Sequence, residues 1–193
     1  MRIGGTVAMA LTLALSGCGT ADYVTDSQAT VLLIVAAING GAVLDSDVRN
    51  GVNSDIICPD TVEVALALRN KNPGVPDPRI PGAVLIQRYT VEYFRSDGRG
   101  QHGVDVPFPI SGAISSALDV ASSGTETVPI EVVRRQAKLE NPLSGITGFD
   151  IVTMFANITI SGQTVSGDSV TASGSLQIDF ANFGDTDDTC PGA

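Results

Sequence analysis

The chain has 193 residues, long enough for one domain with a proper hydrophobic core. It carries 21 acidic residues against 11 Lys and Arg, a net charge of −10. That balance argues against nucleic acid and anionic lipid surfaces as partners, and it favours solubility in crowded surroundings.

The N-terminus is patterned for export. Arg2 supplies a positive start, and Ile3 to Leu15 follows as an apolar run with no charge. The run is too short to cross a bilayer, which takes about 20 apolar residues. A charged start, a short apolar run and small residues at its end describe a secretory signal. The run closes on Leu15-Ser16-Gly17-Cys18. This resembles the lipobox of bacterial lipoproteins, in which the cysteine is diacylated and the chain is cut just before it. The resemblance implies a signal peptide over residues 1–17 and a lipid on Cys18. Gly19, rather than Asp, follows the cysteine, and by the same resemblance this implies the outer membrane, on its periplasmic face or at the cell surface. Two or more acyl chains anchor stably, since each buried CH₂ contributes roughly 0.8 kcal/mol. Residues 18–28 then read as a polar tether; Gly19 to Gln28 reaches at most ~35 Å when extended.

The body, residues 29–184, reads as strands. Ala29 to Ile38 (ATVLLIVAAI) is apolar on both faces, as in a fully covered strand, and Asn39-Gly40-Gly41 ends it. Val62 to Leu68 alternates, with Val62, Val64, Leu66 and Leu68 on one side. Val84 to Phe94 is β-branched and aromatic, with Tyr89, Val91 and Tyr93 sharing a face. Ser115 to Ser122 reads as a turn of helix or a loop. Val128 to Val133 makes another strand, an edge because Pro129 cannot donate to a ladder. Ile151 to Ile160 and Ser169 to Phe180 alternate cleanly and form a hairpin, with Gly162 and Gly167 supplying the turn. Short strands with Gly, Pro and Asn breaks, and no competing long amphipathic helix, predict an all-β, antiparallel immunoglobulin-like sandwich of about seven strands. Residues 185–193 form an acidic tail.

Cys58 and Cys190 are an even pair in an oxidising compartment, so they are expected to form a disulfide closing a very long loop. Neither has a second cysteine or histidine at ligand spacing, which argues against metal.

The runs Arg88 to Arg99 (RYTVEYFRSDGR), Gly103 to Pro107 and Val132 to Glu140 (VVRRQAKLE) resemble a group of uncharacterised secreted bacterial proteins. That likeness implies no activity and no site residues.

Individual motifs point away from catalysis. Gly98-Arg99-Gly100-Gln101-His102-Gly103 spells G-x-G-x-x-G, but Pro107 and Pro109 follow at once, where a dinucleotide site needs a helix N-terminus. His102 is the single histidine and has no G-x-S-x-G nucleophile to serve. Asp45-Ser46-Asp47 and Asp185-Thr186-Asp187-Asp188 lack the EF-hand glycine and glutamate and read as solvated loops. Arg134, Arg135 and Lys138 form the one basic spot, either paired within the fold or docking an acidic partner; pairing is the stronger reading. The expectation is a non-catalytic binding or structural module, lipid-anchored in the envelope and without metal or cofactor. An alternative is a small-ligand or glycan receptor, weakened by the lack of tryptophan; a carboxylate hydrolase comes last.

Overall fold

The computed structural model describes residues 29–49, 56–71, 83–119, 125–147, 149–183 and 190. Its strands are β1 (Val31–Ile38), β2 (Leu44–Asp47), β3 (Asp60–Asn70), β4 (Ala83–Phe94), β5 (Ile110–Asp119), β6 (Glu126–Val133), β7 (Val152–Thr164) and β8 (Ser169–Ala181). A five-residue helix, α1 (Arg135–Leu139), follows β6. The strands form a three-stranded sheet ordered β1-β3-β6 and a five-stranded sheet ordered β2-β8-β7-β4-β5. Every pairing is antiparallel except β2 on β8. The chain therefore starts in one sheet as β1 and crosses to the edge of the other as β2. The architecture is an immunoglobulin-like β-sandwich.

Alternation places the core between the sheets. Met154, Ala156, Ile158 and Ile160 of β7 are buried, as are Leu176, Ile178 and Phe180 of β8. They meet Val62, Val64, Leu66, Ile130 and Val132 of the smaller sheet, also buried. The residues between them on β7 and β8 (Thr153, Asn157, Thr159, Thr171, Ser173, Ser175) are polar and face outward, the pattern of a sheet with one wet side. The β7–β8 turn uses Gly167 at φ 93°, with its N–H on the Thr164 carbonyl at 2.9 Å. Gly162 does not serve the turn. It lies within β7, opposite an irregularity in β4, where a Cβ would fall 2.4 Å from the Leu85 carbonyl oxygen.

Three further expectations are corrected. Ser115 to Ser122 is neither helix nor loop over its described part, because β5 runs from Ile110 through Asp119. Its apolar residues, Ile110, Ile114 and Leu118, recur every fourth position. That spacing fits one side of a strand as well as one stripe of a helix, so periodicity alone does not decide. Asp45-Ser46-Asp47 is not a solvated loop; it belongs to β2, with Ser46 and Asp47 buried. β1 is an edge strand rather than a fully covered one, and Leu32 (46%) and Ile34 (38%) are exposed on its outer face.

Two tyrosines of β4 tie the sheets together. Tyr89 and Tyr93 are buried and reach β6, where Tyr93 Oη donates to the Val132 carbonyl and Tyr89 meets the Glu131 backbone. Tyr89 lies over β5 at Gly112, where a Cβ would come within 2.3 Å of its ring. Gly112→Ala therefore forces a rigid ring out of place and should cost about 1–3 kcal/mol, the usual range for overpacking. Urea unfolding should show this loss. Gly145→Ala, which meets nothing within 4 Å, should leave the midpoint nearly unchanged.

Candidate functional site

The densest polar cluster lies at one end of the sandwich, where β3 begins. Cys58 is bonded to Cys190 across a sequence separation of 132 residues, as expected from the sequence. Closing so long a loop stabilises by about 5 kcal/mol in the chain-entropy picture. Two residues further on, Asp60 receives the ammonium of Lys138. Nζ lies 2.9 Å from each carboxylate oxygen and donates to the Asp47 carbonyl at 2.7 Å. Ser46 Oγ donates to Asp60 Oδ2 at 2.6 Å, and Asp47 Oδ1 accepts the backbone N–H groups of Arg49 and Phe183. One ion pair thereby joins β2, β3 and α1, while Asp47 adds the exit of β8. Burial raises the Asp60 pKa, outweighing the lowering by the Lys138 charge and by the Ser46 and Lys138 hydrogen bonds.

This geometry divides the basic trio. Lys138, with 1% of its side chain exposed, is enclosed by the fold, so it is removed from the docking reading. Arg134 is exposed, and its Nη2 donates to the Ser111 carbonyl on β5 at 2.8 Å. Arg135 is exposed on α1. Cys18 and Asp185 to Asp188 lie outside the described residues.

The glycine-rich loop after β4 closes on itself. Gln101 O accepts from the backbone N–H groups of Val104 and Asp105, and no helix follows. Asp97 accepts from Arg99 Nε and Nη2 at 2.8 and 2.7 Å and from Arg95 Nε at 3.2 Å. Hydrogen bonds from the Arg99 side chain and backbone are the main cause of its pKa of about 2. His102 Nδ1 lies 3.3 Å from the Pro107 carbonyl, and its ring packs near Phe108. Among the described residues, no three His, Cys, Asp or Glu side chains are grouped to hold a metal ion.

Two surface features were not singled out from sequence. On the outer face of the five-stranded sheet, Phe94 and Phe155 are cross-strand neighbours, stacked with ring centroids 5.5 Å apart and planes 20° apart. Phe94 is 43% exposed, and Asn157, Gln177 and Asp179 share that face. Only strand register brings the two rings together. The second feature is an open groove of about 390 Å³ between the end of β1 and β8, lined by Val35, Ile38, Val43, Gly174, Leu176 and Gln177.

The fold and these surfaces define an all-β immunoglobulin-like module. No known protein family and no curated protein matches the chain. Among solved structures it is similar to one described as a late embryogenesis abundant (LEA) protein in solution, at 14% identity and a TM-score of 0.40, covering 79% of this chain and 72% of that one.

Lys138→Met should destabilise the protein by about 3–5 kcal/mol, because it leaves a buried carboxylate without its counter-charge. The sign with pH follows from the raised Asp60 pKa. In the folded state Asp60 holds its proton to higher pH than in the unfolded chain, so its contribution to stability falls as pH rises past about 4. Removing Lys138 deepens that fall. Thermal unfolding should therefore show a smaller deficit for Lys138→Met at pH 4 than at pH 7.

Proposed function

We propose that the protein is a lipid-anchored module of the bacterial cell envelope, held by an acyl group on Cys18 and acting by binding rather than by chemistry. The observation that carries this reading is the cysteine arithmetic. The chain has three cysteines, and Cys58 and Cys190 pair, which suits an oxidising compartment and leaves Cys18 as the odd thiol at the end of the export signal. Support comes also from the use of charge in the fold. Lys138 and Asp60, the buried ion pair, are engaged in holding strands together. Among the described residues no helix is long and apolar enough to cross a membrane. Gly19 at the next position supports the outer membrane. The expected outcome for Cys18→Ser, expressed in the native host, is loss of the acyl mass and release from the membrane fraction to the soluble fraction. Wild-type chain that is unacylated, or Cys18→Ser chain that still sediments with membranes, argues against this reading.

A second reading is favoured by Phe94 and Phe155. Two stacked, nearly parallel rings, flanked by amide and carboxylate side chains, form a small aromatic patch against which the apolar face of a sugar ring can pack. On this reading the module is a receptor for an envelope glycan. Phe94→Ala should then weaken binding to isolated envelope polysaccharide by about tenfold, as measured by calorimetry, a change of about 1.4 kcal/mol. Equal binding by variant and wild type removes the aromatic patch from the account.

A further inference from the structure

On the reading that the Phe94–Phe155 patch holds a glycan, and resting on it, we infer that Asp179 selects the ligand as a glycan free of acidic groups. Gln177 of β8 is the direct cross-strand partner of Phe155, and Asp179, two residues further on, is the partner of Thr153. Asp179 is thus a diagonal neighbour of the Phe155 ring, about 7–8 Å away, a span that one sugar ring covers.

The carboxylate is held in place by its own strand and the next. Thr153 Oγ1 donates to Asp179 Oδ1 at 2.6 Å, and Gln177 Nε2 donates to the same oxygen at 3.3 Å. Among the described residues, Oδ2 is met by Gln177 Nε2 alone, at 3.5 Å. One oxygen therefore fixes the side chain, and the other keeps lone pairs for hydroxyl donors. Hydrogen bonds to a carboxylate are stronger than neutral ones, and a side chain already fixed loses little freedom on binding.

Charge decides the class of glycan. The side chains flanking the rings on this face are Thr153, Asn157, Gln177 and Asp179, with Glu92 on β4 and Asp45 beside Asp179 on β2. Three of these six are acids and none is basic. The basic residues nearest Phe94 in sequence, Arg95 and Arg99, are both engaged with Asp97. Uronate, phosphate or sulfate groups would be repelled here, while hydroxyls meet acceptors. The polar rows on either side of the rings, Thr153 with Asp179 and Glu92 with Asn157, stand four strand residues apart, about 14 Å. That length suits an oligosaccharide better than a single sugar.

The test uses the full chain bearing Cys18→Ser and envelope polysaccharide split by anion exchange into neutral and acidic fractions, with binding read by calorimetry. This parent chain should bind the neutral fraction about tenfold or more tighter than the acidic one, and added salt should narrow the gap. Asp179→Asn, which keeps the side chain's shape, should melt with the parent and weaken neutral binding by about tenfold. Thr153→Val, which removes the hydroxyl that fixes Asp179, should cost less, about threefold. If Asp179→Asn does not fold, the parent's preference between the two fractions decides. Tighter binding to the acidic fraction, or a folded Asp179→Asn chain that binds as the parent does, overturns the inference and leaves the aromatic patch standing. A Phe94→Ala chain that binds as the parent does, or a parent that binds neither fraction, overturns both.

Discussion

The Asp60 carboxylate sits inside the end of the sandwich because the ammonium of Lys138 meets it there, and much of that end depends on the meeting. The helix that carries Lys138 has five residues, far too few to persist by its own hydrogen bonds. The strand that supplies Ser46 and the Asp47 carbonyl has four. Neither buries enough apolar surface to hold itself in place. β2 is laddered to β8, both segments are fixed by polar partners in each other and in β3, and the bond between Cys58 and Cys190 fixes the same neighbourhood covalently. The remainder of the molecule is held differently, by interdigitated Val, Ile, Leu and Met between two sheets. Partial loss of a hydrophobic core is graded, whereas loss of one member of a buried ionic network leaves the others uncompensated. This end should therefore come apart as a unit.

Between those two regimes lie Tyr89 and Tyr93. Each spends its ring in the core and its hydroxyl on the backbone of β6, so the larger sheet supplies polar partners for an edge of the smaller one. Burial raises the pKa of both phenols above an ordinary value near 10 that already keeps them protonated, and Tyr93 donates to the Val132 carbonyl. Gly112 is the condition for this arrangement, since any side chain there would occupy the space of the Tyr89 ring.

Much of the fold was legible in the sequence, because strand alternation is a local signal. Val62 to Leu68, Val84 to Phe94 and the final hairpin all show it directly, and Pro129 correctly marks an edge. The failures share a cause, which is that tertiary partners are not local. β5 was hidden because Ile110, Ile114 and Leu118 satisfy two periodicities and the residues between are small. β2 was hidden because Asp-Ser-Asp looks solvated until Lys138, 91 residues away, reaches the Asp47 carbonyl. β1 looked doubly covered because its outer face is apolar, although among the described residues no layer covers it and Leu32 and Ile34 are exposed. The same limit applied to the surface features: Phe94 and Phe155 become a pair only through the register of β4 with β7.

Strand register also fixes which way the molecule is oriented. β1 enters beside Asn70, at the far end of β3 from Cys58 and Asp60. Eleven residues of extended strand separate those ends, about 35 Å. Whatever precedes Ala29 is thus attached at one pole, together with the Gly167 turn. The disulfide, α1 and the folded loop carrying Asp97, Arg99 and His102 occupy the other. A tether fastened at the first pole would act like a mast, lifting the second clear of its mooring and presenting that loop outward as the leading surface.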